Sequence, residues 1–237
     1  MTRFQDYFNE QIKTFNECHS NLLEQTTEKD IHRLRTTLKK LKTFNILLDG
    51  LLFRQKDFPV EFSNLFKLSG EIRDIQIQQK ILDEYEDGYK AYLLYVYEDR
   101  LKKFKIKDNF EKEIQYLTDK LNKVEDYHID DQVITNIQTR IEISYDDIRS
   151  MIENISPENL HEIRIKIKRI YHTLLMLGEL NNIEKLDNIQ EKIGLWHDHD
   201  VTIANIKQFD NNLLIIKSLK KKRDSLYNES LELIKHF

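Results

Sequence analysis

Two short stretches of this chain carry the same cationic side chains at the same spacing. Ile31-His32-Arg33-Leu34-Arg35-Thr36-Thr37-Leu38-Lys39-Lys40-Leu41-Lys42 and Leu160-His161-Glu162-Ile163-Arg164-Ile165-Lys166-Ile167-Lys168-Arg169-Ile170-Tyr171 lie 129 positions apart, and both read H-x-x-R-x-x-x-K-[KR]. The residue types suit anions. Arg offers two parallel N–H donors, Lys is a mobile point charge, and His changes charge near neutrality. A second doubled motif, Gly-x-x-[RH]-D-x-x-[IV], runs from Gly70 through Arg73 and Asp74 to Ile77, and from Gly194 through His197 and Asp198 to Val201. Two further basic clusters follow, one with Arg100 and Lys103 and one with Lys220 and Arg223.

These side chains act together only if helices hold them. At about 100° per residue, His32, Arg35, Lys39 and Lys42 fall within roughly 80° of one another, and Ile31, Leu34, Leu38 and Leu41 share a neighbouring arc. One side is cationic and the other belongs to a core. In the echo, Leu160, Ile163, Ile167, Ile170 and Leu174 are apolar while His161, Arg164, Lys168 and His172 share the polar stripe. Thr27 with Asp30 reads as an N-cap, and Ser156 followed by Pro157 opens the echo, with Gly50 and Gly178 as the stops. Before the first stripe, Phe4, Phe8, Ile12 and Phe15 recur at helical intervals; after it, helices are expected over 60–85 and from Gly88 onward. The second half repeats that order, with a hinge at Glu125–Asp131. The reading is therefore all-α, with a four-helix repeat over residues 1–125 and another over 126–237. A glycine costs a helix about 0.5–1 kcal/mol, so Gly70 and Gly194 at matching places mark a close approach.

Composition narrows the function classes. With 5 Gly and 2 Pro in 237 residues and 33% charged side chains, the composition favours long helices over a β-rich fold, which would need many turn residues. The formal net charge of −4 and pI near 6.1 argue against a general nucleic-acid binder. Locally the sign reverses, since residues 31–49 hold five Lys and Arg against Asp49 alone, and residues 160–177 hold four against Glu162 alone. Cys18 has no disulfide or zinc partner, which with a polar start and the absence of an 18-residue apolar run gives a soluble, cytoplasmic reading with an inert thiol. His197-Asp198-His199-Asp200 invites a metal, but alternate residues point to different sides of a helix and no third ligand cluster is evident. Tyr92, Tyr95 and Tyr97 read as core aromatics rather than a stacking platform, and Trp196 as buried. No Gly-rich phosphate loop, nucleophile elbow or paired-acid arrangement is present, so no catalysis and no cofactor are expected.

The doubled H-x-x-R-x-x-x-K helix, each copy followed some thirty residues later by a Gly-x-x-[RH]-D helix, resembles the CHAD domain, the conserved histidine α-helical domain, over about residues 4–237. The resemblance implies one domain of two four-helix repeats about a pseudo-twofold axis, with inorganic polyphosphate bound by basic residues in the central groove between them. It implies phosphate-binding roles for His32, Arg35, Lys39, Lys40, Lys42, Arg73, Arg100 and Lys103 in the first half. In the second half the set is His161, Arg164, Lys168, Arg169, His197, Lys220 and Arg223, with Asp74 and Asp198 as orienting acids. Polyphosphate granules and polyphosphate-metabolising proteins are the implied surroundings, with no membrane and no specific nucleic acid. His197 stands where the first half has Arg73, and Tyr171 where it has Lys42. Two other classes stay open on the residues alone: a phosphohistidine or metal-dependent enzyme, and a helical scaffold for acidic protein or nucleic acid.

Overall fold

The computed structural model describes residues 3–52, 58–85, 88–126, 131–209, 212–235 and 237. All regular structure among them is helical: α1 (Arg3–Glu24), α2 (Glu28–Leu52), α3 (Val60–Ile81), α4 (Gly88–Lys103), α5 (Glu111–Asp126), α6 (Asp131–Glu153), α7 (Pro157–Leu177), α8 (Ile183–Phe209) and α9 (Leu213–Ile234). The four helices expected over residues 1–125 are joined by a fifth, α5. Leu117 and Leu121 are buried on its core side, and Phe110, the residue just before it, continues that buried row at helical spacing. Most of the hinge expected at Glu125–Asp131 lies outside the described residues, as do His128 and His236.

The ends of the two stripe-bearing helices differ. Thr27 caps α2 as its hydroxyl accepts from the Asp30 N–H at 3.1 Å, and hydrogen bonds from Asn21 and Thr27 hold the Asp30 carboxyl below its usual range. At α7, Asn159 accepts from the Ser156 N–H at 2.9 Å. Gly178 stops α7 with φ 68°, in the left-handed region, while Glu179 N–H donates to the Leu174 carbonyl. Gly50 does not stop α2, which continues to Leu52. A glycine alone costs too little to end a helix.

The chain forms two compact units that interleave in sequence. The first comprises residues 1–73, 100–142 and 172–179, and the second 74–99, 143–171 and 180–237. In the first, α2 packs against α1 and α5, and Leu34, Leu38, Leu41 and Phe44 of α2 are fully buried. Phe15, Phe62 and Phe110 meet with centroids 5.1–5.4 Å apart. Lys120 of α5, almost fully buried, donates to Asn45 Oδ1 of α2 at 2.9 Å. In the second unit α8 packs against α9, and a core of Ile75, Leu82, Tyr89, Leu93, Ile203, Ile206, Ile215, Ile216 and Leu219 joins α3, α4, α8 and α9. Gln78 Oε1 accepts there from Tyr89 at 2.6 Å and from Asn205 at 3.0 Å. Trp196 is buried as expected, but Tyr92 and Tyr95 are exposed on α4, where Tyr92 stacks on Phe209 at 4.9 Å. Cys18 is fully buried, and burial raises its thiol pKa. No helix among the described residues is long and apolar enough to cross a membrane.

Phe15, 1% exposed at the centre of the aromatic cluster, sets a stability test. Phe15→Ala is expected to lower the unfolding free energy by about 3–5 kcal/mol in a urea titration, from lost burial and the cavity left behind. A loss below about 1 kcal/mol would show that the cluster is not the anchor of its unit.

Candidate functional site

Each stripe is built around one arginine that leaves its own helix and lies on the next. In the first unit, Arg35 of α2 donates from Nη1 to the Phe66 carbonyl of α3 at 2.8 Å, with its guanidinium carbon 4.3 Å from the Phe66 ring centroid. A Cβ placed on Gly70 would stand 2.5 Å from Nη1. In the second unit, Arg164 of α7 donates from Nε to the Gln190 carbonyl of α8 at 3.0 Å, and a Cβ on Gly194 would stand 2.8 Å from Nη2. Phe66 and Gln190 each precede the glycine by four residues, so both guanidinium groups meet the carbonyl of the same helical turn. The doubled glycine thus has a physical reason, as a Cβ at either position would push the guanidinium out of its place. A charge-assisted hydrogen bond contributes on the order of 1.5–3 kcal/mol, which outweighs the roughly 0.5–1 kcal/mol that a mid-helix glycine costs.

In the second unit two histidines stand beside the clasp. The rings of His161 and His197 lie 4.2 Å apart, tilted by 31°. Burial lowers the His161 pKa, with His197 and Arg164 adding to the effect and Asp198 opposing it. Burial likewise lowers that of His197, reinforced by Arg164 and opposed by Asp200 and Asp74. Burial also lowers the Arg164 pKa against the pull of Asp198. Asp198 and Asp74 therefore act here through their charge on Arg164, His161 and His197. His199, the other histidine of the His-Asp-His-Asp run, has Nδ1 on the Leu195 carbonyl at 2.8 Å. Among the described residues no group of three His, Cys, Asp or Glu could hold a metal ion.

The remaining predicted residues divide by what meets them. Arg73 of α3 bonds Glu28 of α2 at 3.1 Å, Arg100 of α4 bonds Glu71 at 3.2 Å, and Arg223 of α9 bonds Asp200 at 3.0 Å and Asp224 at 2.7 Å. Burial works against the Arg223 charge, but its hydrogen bonds to the two acids outweigh burial and raise its pKa. His32 and Lys42 are exposed on α2, with the Lys42 ammonium 5.8 Å from the Phe66 centroid, and Lys39 and Lys40 are half-buried. On α7, Lys168 is half-buried and Arg169 exposed; Lys103 of α4 is exposed. Lys220 borders a shallow depression on α9 with Lys217, Lys221 and Leu214 rather than the histidine pair. Sequence reasoning missed Glu28, Glu71 and Phe66 as partners. Glu28, four residues before His32 on the same helix, was the one legible signal among them.

A family comparison fits this geometry. The model of the CHAD domain matches residues 6–207. The chain belongs to the CHAD-domain family. Among solved structures, this CHAD-domain chain is similar to the crystal structure of the CHAD domain from the plant Ricinus communis, with a TM-score of 0.73 and 13% identity over 99% of this chain and 89% of that one. At that identity the likeness speaks for the fold. No curated protein matches the chain.

The clasp predicts an inversion of sign. Gly70→Ala should destabilise the wild-type chain, because the new methyl displaces the Arg35 guanidinium from its carbonyl. In an Arg35→Ala background the same change should stabilise by about 0.5–1 kcal/mol, the ordinary gain of Ala over Gly in a helix. Gly194→Ala with Arg164→Ala should behave alike. Additive effects in denaturant titrations of the four variants would contradict the clasp.

Proposed function

We propose that this CHAD-domain protein binds inorganic polyphosphate, without catalysis, through the cationic faces of α2 and of α7 with α8. The observation that carries the reading is the doubled arrangement itself: a His, a clasped Arg and a Lys on one helical stripe, each set against a glycine of the following helix. A polyphosphate chain carries about one charge per phosphate and no base edges, so a receptor needs a spaced file of cations and donors. Family membership supports this ligand, and the local excess of Lys and Arg explains how a chain of net charge −4 could hold a polyanion.

Within the proposal the roles divide by what each side chain meets. Arg35 and Arg164 spend part of their donor capacity on backbone carbonyls, so they position the stripe as well as offer N–H groups to phosphate. Lys39, Lys40, Lys42, Lys168 and Arg169 supply mobile charge, His32, His161 and His197 supply donors, and Arg73, Arg100 and Arg223 bind phosphate only by exchanging a carboxylate for it. Lys103 and Lys220 extend the reach of the basic surface. In this reading the protein is cytoplasmic, at polyphosphate granules or beside polyphosphate-metabolising proteins.

The test is the salt dependence of affinity for long-chain polyphosphate. The logarithm of the association constant should fall linearly with the logarithm of salt concentration, and Lys39→Ala with Lys168→Ala should reduce the slope by about 0.7 for each phosphate contact removed. Melting temperatures of the variants confirm that the fold is intact. A salt-independent affinity, or no binding at low salt, would overturn the proposal.

A further inference from the structure

The second unit contains a feature that the first half of the repeat does not reproduce. His161 and His197 stack at 4.2 Å, and Nδ1 of His161 is buried without a hydrogen-bond partner in the protein. A buried ring nitrogen left unmatched costs roughly 1–3 kcal/mol, and packing alone gives no reason to keep it. The groups that face the pair are Arg164 on α7, Asp198 and Asp200 on α8, and Asp74 on α3. Asp200 is in turn bonded by Arg223 of α9. Arg164 is fixed over Gly194 beside both rings.

The positions that match the pair in the first half are His32 and Arg73. Arg73 is a permanent cation that meets Glu28 at 3.1 Å. In the repeat register Glu28 corresponds to Pro157, so the second half has lost both the fixed charge and this acid. What replaces them is a pair of rings whose charge depends on what lies beside them. Burial and Arg164 disfavour the protonated pair in the unliganded protein, whereas a phosphate next to Arg164 would reverse the local field and favour it. Only one proton fits readily, since two imidazolium rings 4.2 Å apart repel each other.

We propose that the second unit takes up a phosphate group together with one proton, which enters the stacked His161–His197 pair and converts it into a cationic donor beside Arg164. The proton comes from solution and returns to it on release. The first half, with Arg73 in the matching place, binds phosphate without that proton. Anion capture by the second unit is therefore strengthened as pH falls, and His197 is the residue that makes the two halves respond differently. This inference rests on the polyphosphate reading above.

The test is calorimetric titration of long-chain polyphosphate into the full chain near pH 6.5, in several phosphate-free buffers of different ionisation heat. Long chains keep the terminal phosphates, which titrate near pH 6, a small fraction of the ligand. The slope of observed heat against buffer heat should give an uptake of about one proton for each chain bound to the second unit, and affinity should rise by up to about tenfold per pH unit between pH 8 and pH 6. His197→Arg, which restores the residue type of the first half, should keep binding while proton uptake falls towards zero. His197→Gln should lose the uptake with weaker binding, which keeps the test decisive if the Arg variant does not fold. Binding without proton uptake in the wild type would overturn this inference and leave the polyphosphate reading standing. Uptake unchanged in both variants would also overturn it, because the proton would then enter elsewhere. No binding at any pH would overturn both readings.

Discussion

One contact is formed twice in this structure, an arginine of the stripe held against a glycine of the following helix. A helix that must carry cations towards a ligand has a difficulty: long basic side chains lose much conformational freedom when they are fixed. The clasps of Arg35 on Gly70 and Arg164 on Gly194 resolve it for one side chain in each half by tying the guanidinium to a carbonyl of the neighbouring helix. The same contact links α2 to α3, and α7 to α8. Fold and site therefore share one interaction. A change at either glycine is felt first as packing and then as displacement of the basic stripe.

Around the two clasps the electrostatic settings diverge. The first unit pairs Arg73 with Glu28 and Arg100 with Glu71, and carries His32 exposed on α2. The second unit keeps Arg164 charged in a half-buried place beside two histidines whose pKa values are depressed, and Asp198, Asp200 and Asp74 limit that depression. Such a pair lowers stability as the solution becomes acidic. Its neutral form is favoured in the folded chain, so its contribution is present above the unfolded value near 6.5 and is lost as pH falls through the depressed folded values. Under the proposed binding, an anion beside Arg164 would offset that loss, which would link stability, protonation and binding in one place.

Much of this was legible in the sequence, for particular physical reasons. The apolar positions of α2 and α7 followed the helical period and are buried, Thr27 caps as its type and spacing implied, and the doubled glycine did mark a close approach. The approaching group was not legible, because periodicity shows which face a residue occupies and not whether its side chain reaches back onto another helix. For the same reason the sequence assigned Arg35 and Arg164 to phosphate alone, when each is partly committed to a carbonyl. The helix α5 carried its signal in Phe110, Ile114, Leu117 and Leu121, which the reading of four helices in each half passed over. The proximity of His161 to His197 joins residues 36 positions apart, a distance that only the packing of α7 on α8 fixes.

Under the proposed binding, both stripes, each held by its clasp, engage the polyanion. Nuclear magnetic resonance of the 15N-labelled chain during titration with long-chain polyphosphate addresses this most directly. Signals should shift in two sets, one around His32, Arg35 and Lys39 of α2 and the other around His161, Arg164, Lys168 and His197 of α7 and α8, with the rest of the backbone little changed. Shifts confined to the Lys220–Arg223 surface of α9, or to one of the two stripes, would contradict it.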